Sequence, residues 1–432
     1  MTEEIKARIE SIRKGKVPNG YSKGIAGILP NDWISKPLSE ISEVISEQAG
    51  DDDYETLSIS AGIGFVNQAQ KFGKELSGKQ YEKYTVLRKG DFAYNKGNSK
   101  LYPQGCTYRL KERDEAAVPN VFECFRITEG CPEYYEQLFI SGFMNRQLTR
   151  KINHGVRDDG LLNLTDADFY STVLPVPPLA EQQKIAGVLI EYDRFIELKK
   201  QLLTEKRKQK QWLLQGLLDP NSGVRLQGYT MPWKSRKLGN IVNITSVKRI
   251  HQSDWTESGI RFLRARDIVA FFNGEDPEDL LFISEQKYDE YSAISGKVAV
   301  GDLLVTGVGS IGIPFLIRNN DPIYFKDGNI IWFQNKGEIN GEYLFYAFSS
   351  KAIQDYIRTT SGKGTVGTYT IEGAQKTPIL IPCPEEQRHI ANVLNCVDKQ
   401  IAMLKKELEI CKQRKKSLMQ LLLTGTIRVG GQ

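Results

Sequence analysis

Apolar residues fall at alternating steps of four and three from 390 to 422: Ile390, Leu394, Val397, Ile401, Leu404, Leu408, Cys411, Leu418 and Leu422. Only Lys415 interrupts the stripe. That spacing is the seam of a coiled-coil helix. A second stretch keeps the same register with Ile185, Leu189, Tyr192, Ile196, Leu203, Leu213 and Leu217, but places Lys199, Lys206 and Lys210 within it. Each stretch predicts a proline-free helix of roughly 38 residues, hence about 57 Å long. Prolines stand at the entry of both (Pro177, Pro178; Pro382, Pro384), where a missing N–H costs little. Glu181, Glu385 and Glu386 suit the positive end of a helix. "DPNSG" (219–223) and "TGT" (424–426) stop the two helices. A helix this long with an apolar stripe needs a partner, and the other copy is the nearest candidate.

The pattern changes ahead of each helix. Runs such as "ETLSIS", "YTVLRKGDFAYN", "KVAVGDLLVT" and "IYFKDGNIIWF" are β-rich and separated by glycine-bearing turns. Helical pieces such as "PEYYEQLFISGFMNRQLTRKI" and "NGEYLFYAFSSKAIQDYI" follow them. Both stretches predict an α+β globule with an irregular, mainly antiparallel sheet.

A shift of 205 residues superposes the two helical stretches without a gap. It matches Pro177 with Pro382, Glu181 with Glu386, Gln182 with Gln387 and Ile185 with Ile390. Further along it matches Asp193 with Asp398, Lys200 with Lys405 and Lys210 with Lys415. With small shifts, "WISKPLSEI" (33–41) resembles "WKSRKLGNI" (233–241), and "KGDFAYN" (89–95) resembles "VGDLLVT" (300–306). The chain is therefore two copies of one unit. The expected divisions are an N-terminal segment (1–30), a first globule (31–178), a central helix (179–220), a second globule (221–380) and a C-terminal helix (381–432).

Composition narrows the class. The chain has 432 residues, 40% apolar and 26% charged, as in a soluble globular protein of several domains. No apolar run approaches the roughly 18 residues that cross a bilayer. The charged start "MTEEIKARIE" has no signal core, so a cytoplasmic protein is expected. The six cysteines form no C-x-x-C pair and are expected to be reduced thiols. Three histidines (His154, His251, His389) give little material for a metal centre. Net charge is +5, but 197–211 and 405–416 each carry +4, which leaves the rest of the chain at −3. Those two stretches are either solvated helix faces or contacts to phosphate or an acidic partner.

Catalytic motifs do not assemble. "GVGSIG" (307–312) fits the dinucleotide-binding glycine pattern, but Ile313 and Pro314 argue against the helix that must follow. "SGKGT" (361–365) lacks the first glycine of a phosphate loop and its closing Ser or Thr. "SEQK" (284–287) holds only part of a nuclease pattern, and "HGVRDD" (154–159) reads as a polar loop. No Asn/Asp-Pro-Pro-Tyr/Phe adenine-methyltransferase motif occurs. No catalytic residue, metal site or cofactor is expected.

"LPVPPLAEQQKIAGVL" and "ILIPCPEEQRHIANVL", each opening a long helix after a β-rich globule with a "GD" strand, resemble the specificity subunit of type I restriction-modification enzymes. "GIRFLRARDI" (259–268) and "GDLLVTGVGSIG" (301–312) are similar to family landmarks in the second globule; the first globule departs from them. The resemblance implies an α+β fold. Two pseudo-repeated target-recognition domains would be joined by two long helices forming an antiparallel coiled coil. It implies a non-catalytic reader of double-stranded DNA with a bipartite target, one domain per half-site and the helices as a spacer. Half-site centres would then lie roughly 34 Å apart, one turn of the duplex. The implied partners are two modification (methyltransferase) subunits and ATP-dependent restriction subunits.

Base edges are read by Arg, Lys, Asn and Gln. The DNA-binding candidates in the first globule are Asn67, Gln68, Gln70, Lys71, Asn95, Lys96, Asn98 and Lys100. In the second they are Lys248, Arg249, His251, Arg261, Arg264, Arg266 and Ser310. The repeated phrase and the basic helices nominate Glu181, Gln182, Lys200, Glu386, Gln387 and Lys405 as partner-docking residues. Two other readings remain at this stage: a coiled-coil scaffold that reads no sequence, and a stand-alone DNA-modifying enzyme.

Overall fold

The computed structural model describes residues 2–72, 78–97, 102–152, 161–326, 328–361 and 367–429. The chain divides into two compact units. Unit 1 is Met1–Lys199 with Glu407–Gln432, and unit 2 is Lys200–Lys406. Among the described residues no helix is long and apolar enough to cross a membrane.

Unit 1 opens with helix α1 (Glu3–Arg13) and the hairpin of β1 (Tyr21–Gly24) and β2 (Gly27–Pro30). Its central antiparallel sheet orders β3 (Ser42–Val44), β6 (Phe122–Ile127), β4 (Phe92–Asn95) and β5 (Cys106–Arg109). Phe92 stacks on Phe125 at 5.4 Å, and Phe139 meets both edge-on. This aromatic core carries α2 (Asn145–Lys151) and the start of the long helix α3 (Leu179–Leu217). The last turns of α4 (Pro384–Leu422) close it, with Met419, Leu422 and Leu423 buried beside Ile185 and Leu189.

Unit 2 repeats that framework. Its first sheet orders β7 (Val242–Thr245), β14 (Ile330–Asn335), β11 (Leu303–Thr306) and β12 (Pro314–Leu316). The chain path through the sheet is the one seen in unit 1: first strand, last strand, then the middle hairpin. Unit 2 adds a second sheet of β8 (Trp255–Thr256), β10 (Leu281–Ile283), β9 (Ile260–Leu263) and β13 (Ile323–Phe325). Unit 1 instead has two separate strand pairs, 57–60 with 64–67 and 85–88 with 115–118. The shared sheet and the differing insertions account for the sequence pattern, strong repeats in the framework and weak ones elsewhere.

Both long helices have 39 residues, and each unit holds the first part of one and the last part of the other. Within unit 1, Asp193 meets Lys415 at 2.6 Å and Lys199 pairs with Glu407. The partner number falls as the residue number rises, so the two segments run antiparallel. Within unit 2, Lys210 meets Asp398 at 2.7 Å, and Leu213, Leu217, Ile390 and Leu394 share one apolar cluster. The lysines that interrupt the seam are thus mostly cross-helix ion-pair partners. Lys415 is 8% exposed and Asp193 neutralises it.

The repeated "GD" has a structural role. Asp91 accepts from Arg126 at 2.7 and 2.9 Å and from the Arg88 amide at 2.7 Å. Asp302 accepts from Trp332 Nε1 at 2.9 Å and from the Asn335 and Ala299 amides. Each carboxylate is buried and satisfied, as a buried charge must be.

"GVGSIG" forms a tight turn. Gly312 donates to the Thr306 carbonyl at 2.8 Å, and strand β12 begins at Pro314, where a dinucleotide site needs a helix. "SEQK" starts an ordinary helix, with Ser284 capping the Lys287 amide. "HGVRDD" and all but the first residue of "SGKGT" lie outside the described residues. The six cysteines are free, and burial pushes the Cys106 thiol up to about 11.

Candidate nucleic-acid interface

Several sequence candidates in unit 1 are occupied inside the chain. Gln68 is buried and donates to Tyr84 Oη at 3.3 Å, so it faces the core instead of a groove. Asn67 bridges Glu55 (3.0 Å) and the Gln70 amide (3.1 Å), capping the short helix 68–72. Arg113 and Asn67 together hold the Glu55 carboxyl below the ordinary carboxylate range. Asn95 folds back to accept from the Gly97 amide at 2.7 Å. Lys96 is pinned between Glu123 (2.6 Å) and Asp166 (2.7 Å) and is 12% exposed. Burial alone would lower its amine, but the two carboxylates outweigh burial and hold it raised. Gln70 is solvent-exposed. The side chain of Lys71, and all of Asn98 and Lys100, lie outside the described residues.

Unit 2 concentrates its candidates better. The segment 246–252 is anchored where Tyr324 Oη donates to the Lys248 carbonyl (2.8 Å) and Ser295 Oγ accepts from the Lys248 amide (2.8 Å). Beyond that anchor, Arg249 and His251 line a groove of about 500 Å³ with Gln252, Trp255, Phe262, Lys326 and Asn329. Strand pairing sets the far wall: the Lys326 amide donates to Leu263 (2.9 Å), and Asn329 accepts from Gly307 (2.8 Å). The groove thus sets cationic and amide heads around an aromatic floor. Such heads reach guanine O6/N7 and adenine N6/N7. Lys248 stands over the Tyr291 ring at 4.1 Å, outside the groove lining.

Three arginines divide differently from the sequence expectation. Arg264 forks onto Asp267 at 2.9 Å and reaches the Asp279 carbonyl at 2.6 Å, capping the helix Ala265–Asn273. It is a structural clasp, because its Nε and Nη2 are both spent on Asp267 and the 278–279 carbonyls. Arg261 stacks on Phe271 at 4.9 Å, whereas Arg266 stays exposed with a long contact to Asp279. Ser310 is exposed on the glycine turn. The sequence reading missed Trp255, Lys326 and Asn329. The polar interruption in "IYFKDGNIIWF" marked a turn but not the wall it would face.

The repeated phrase also points inward. Glu181 is buried, where it receives Trp33 Nε1 (3.0 Å) and Arg428 (2.7 Å). Gln182 accepts from the Cys131 amide (2.8 Å) and donates to Pro177 (2.8 Å). In unit 2, Glu386 accepts from Nε and Nη2 of Arg225, each at 2.8 Å, while Gln387 bridges the Asn340 amide and the Pro382 carbonyl. These four side chains staple helix to globule, which corrects their assignment to partner docking. Helical period carried the signal: Glu181 and Gln182 share a face with Ile185, Ala186 and Leu189, all buried. Lys405 reaches back to the Asn273 carbonyl at 3.3 Å, and Lys200 is exposed.

The helices expose apolar surface elsewhere. In unit 1, Val188, Tyr192, Phe195 and Cys411 line an open groove of about 560 Å³, and Ile190, Leu198 and Ile410 are also exposed on these two helices. In unit 2, Leu202, Trp212 and Met403 are exposed. Among the described residues, no group of three or more His, Cys, Asp or Glu side chains could hold a metal ion.

The chain matches the family described as the type I restriction modification DNA specificity domain twice, over residues 30–205 and 231–412. It is 30% identical over 294 residues to the type I restriction enzyme MjaVIII specificity subunit of Methanocaldococcus jannaschii; the match spans 62% of this chain and 65% of that one. It is 24% identical to the putative MjaX specificity subunit of the same organism, over 95% and 97% of the two chains. Its fold is similar to a solved type I R-M chain (TM-score 0.57, 21% identity, 92% of this chain and 99% of that one). It is also similar to the type I restriction-modification S subunit of M. genitalium (TM-score 0.56, 14% identity, 94% and 97%). With both halves matched and the repeated framework built as described, the chain belongs to the type I restriction-modification DNA specificity family.

Proposed function

We infer that this chain is the non-catalytic DNA-reading subunit of a cytoplasmic type I restriction-modification complex. Each unit reads one half of a bipartite target, and the paired helices set the unspecified gap. Two modification subunits dock along the exposed apolar faces of α3 and α4, and restriction subunits join them. The observation that carries this reading is one sheet framework built twice with different insertions on it. A duplicated scaffold with divergent attachments suits two readers of different sequences held by one partner-binding design. The groove between Arg249 and Asn329 is where the second unit meets base edges. A sequence-blind scaffold has no use for such a groove. The test is a domain exchange. Residues 225–375 are replaced by the matching part of a relative, and methylated adenines are mapped with the modification subunits present. One half-site should change and the other persist; a change in both would sink the reading.

A further inference from the structure

Unit 1 holds a second concave surface, of about 1100 Å³, between α1, the β1–β2 hairpin, α2 and the last turns of α4. Arg8 fixes α1 there, reaching Tyr21 Oη at 3.4 Å and the Thr426 carbonyl at 3.5 Å; Tyr21 Oη in turn donates to the Gly425 carbonyl at 2.7 Å. Yet α1 buries none of its residues fully. Ile9 and Ile12 remain half-covered on the groove, facing Ile28 and Leu421, with Ile25 wide open at the edge. Around this apolar floor stand Arg13, Lys23, Arg146 and Arg150, all exposed. Among the described residues none of the four meets a carboxylate of this chain. Glu10, the acidic lining residue, is already held by Lys14 at 2.6 Å.

We propose that this groove docks an acidic, amphipathic segment of another subunit of the assembly. Apolar side chains at helical spacing match the isoleucine floor, and carboxylates on the flanks match the four exposed cations. A sugar–phosphate backbone would satisfy the rim alone and leave the floor in water, so the floor favours polypeptide over DNA. The proposal rests on the reading that the chain works inside a multi-subunit complex.

The test uses the full chain with a photo-cross-linking amino acid in place of Ile25. It is co-assembled with the modification and restriction subunits on duplex DNA, and assembly is checked by light scattering. Irradiation should join position 25 to one partner peptide rich in Asp and Glu with apolar residues at helical spacing. Adding Arg146→Glu and Arg150→Glu should cut the yield at least tenfold without moving the chain's own melting curve. An assembled complex that cross-links to DNA, to a second copy of this chain or to a non-acidic segment, or gives no cross-link, overturns the proposal alone. Failure to co-assemble overturns the multi-subunit reading and the proposal with it.

Discussion

Arg428 closes its guanidinium on Glu181 at 2.7 Å and on Asp32 at 2.7 and 2.9 Å, tying the segment after α4 to the first turn of α3. Arg225, in the segment after α3, closes on Glu386 in the first turn of α4. Each unit is thus locked by an arginine that follows the antiparallel partner helix. Glu181 and Glu386 are buried, so each carboxylate depends on its cation. Arg428→Ala leaves Glu181 with only the Trp33 indole. We expect it to destabilise unit 1 by about 2–3 kcal/mol, at the low end for a broken buried pair because the arginine is partly exposed. Thermal melting of the variant checks this; an unchanged melting temperature would refute the clamp.

The same clamp gives a pH dependence. Hydrogen bonding to Arg428 holds the Asp32 carboxyl below its usual 3.8, against a smaller opposing effect of burial. A carboxyl lowered in the folded state contributes stability that is complete above the unfolded value. That contribution is lost as pH falls through the folded one. Unit 1 should therefore lose stability below about pH 4, and Arg428→Ala should flatten that part of the curve. Urea melts between pH 5 and 3 measure it, and parallel slopes for the two proteins would count against the assignment.

The pairs Asp193–Lys415 and Lys210–Asp398 are the same interaction under the 205-residue repeat, once in each unit. A buried lysine in an apolar seam is a register device, since slipping by one turn strands the charge. Lys415→Ala should cost about 1–2 kcal/mol, discounted because Asp193 is half-exposed. Exchanging the charges (Lys415→Asp with Asp193→Lys) should recover most of the loss. A double variant no better than the sum of its single changes would show that the pairing does not set the register.

The repeat, the two long helices and their stops were legible because helical period and proline placement are local properties of the chain. Antiparallel pairing followed once the units were seen to be duplicated. The facing of polar side chains was less legible. Glu181 and Gln182 look like an exposed signature but lie on the apolar stripe, a fact the period held and charge obscured. Arg264 resembled a base reader, although the aspartate three residues on is the mark of a helix cap. Gln68 gave no warning, because its burial depends on contacts such as the one to Tyr84, on a separate stretch of the chain.

If the paired helices set the gap, length should be read out in DNA. Inserting four residues after Leu203, with four more after Ala402, adds one turn to each helix between the ion pairs at 199–407 and 210–398. That is about 6 Å of added rise. The unspecified gap should grow by roughly one or two base pairs at 3.4 Å per step, with both half-sites kept. Methylation mapping on a randomised-gap library checks it, and an unchanged optimum gap would end the spacer idea.

The groove of unit 2 makes the sharpest demand on specificity. Lys326 is exposed at its edge and Asn329 half-buried at its wall, and both backbones are fixed by hydrogen bonds to neighbouring elements. Truncating either leaves those backbone bonds intact, so the fold should persist. If the groove reads bases, what is lost is a donor to a base edge, worth about 1–3 kcal/mol of discrimination at one position. Lys326→Ala and Asn329→Ala should therefore relax a single base of one half-site and leave the other half-site untouched. Arg264→Ala should do the reverse, lowering the melting temperature of unit 2, since its Nε and Nη2 hold the Asp267 carboxylate and the Asp279 carbonyl. A cleavage-independent methylation assay over all single-base variants of the target separates the two outcomes. Uniform weakening across all positions by Lys326→Ala would mean that the lysine contacts phosphate and that bases are read elsewhere.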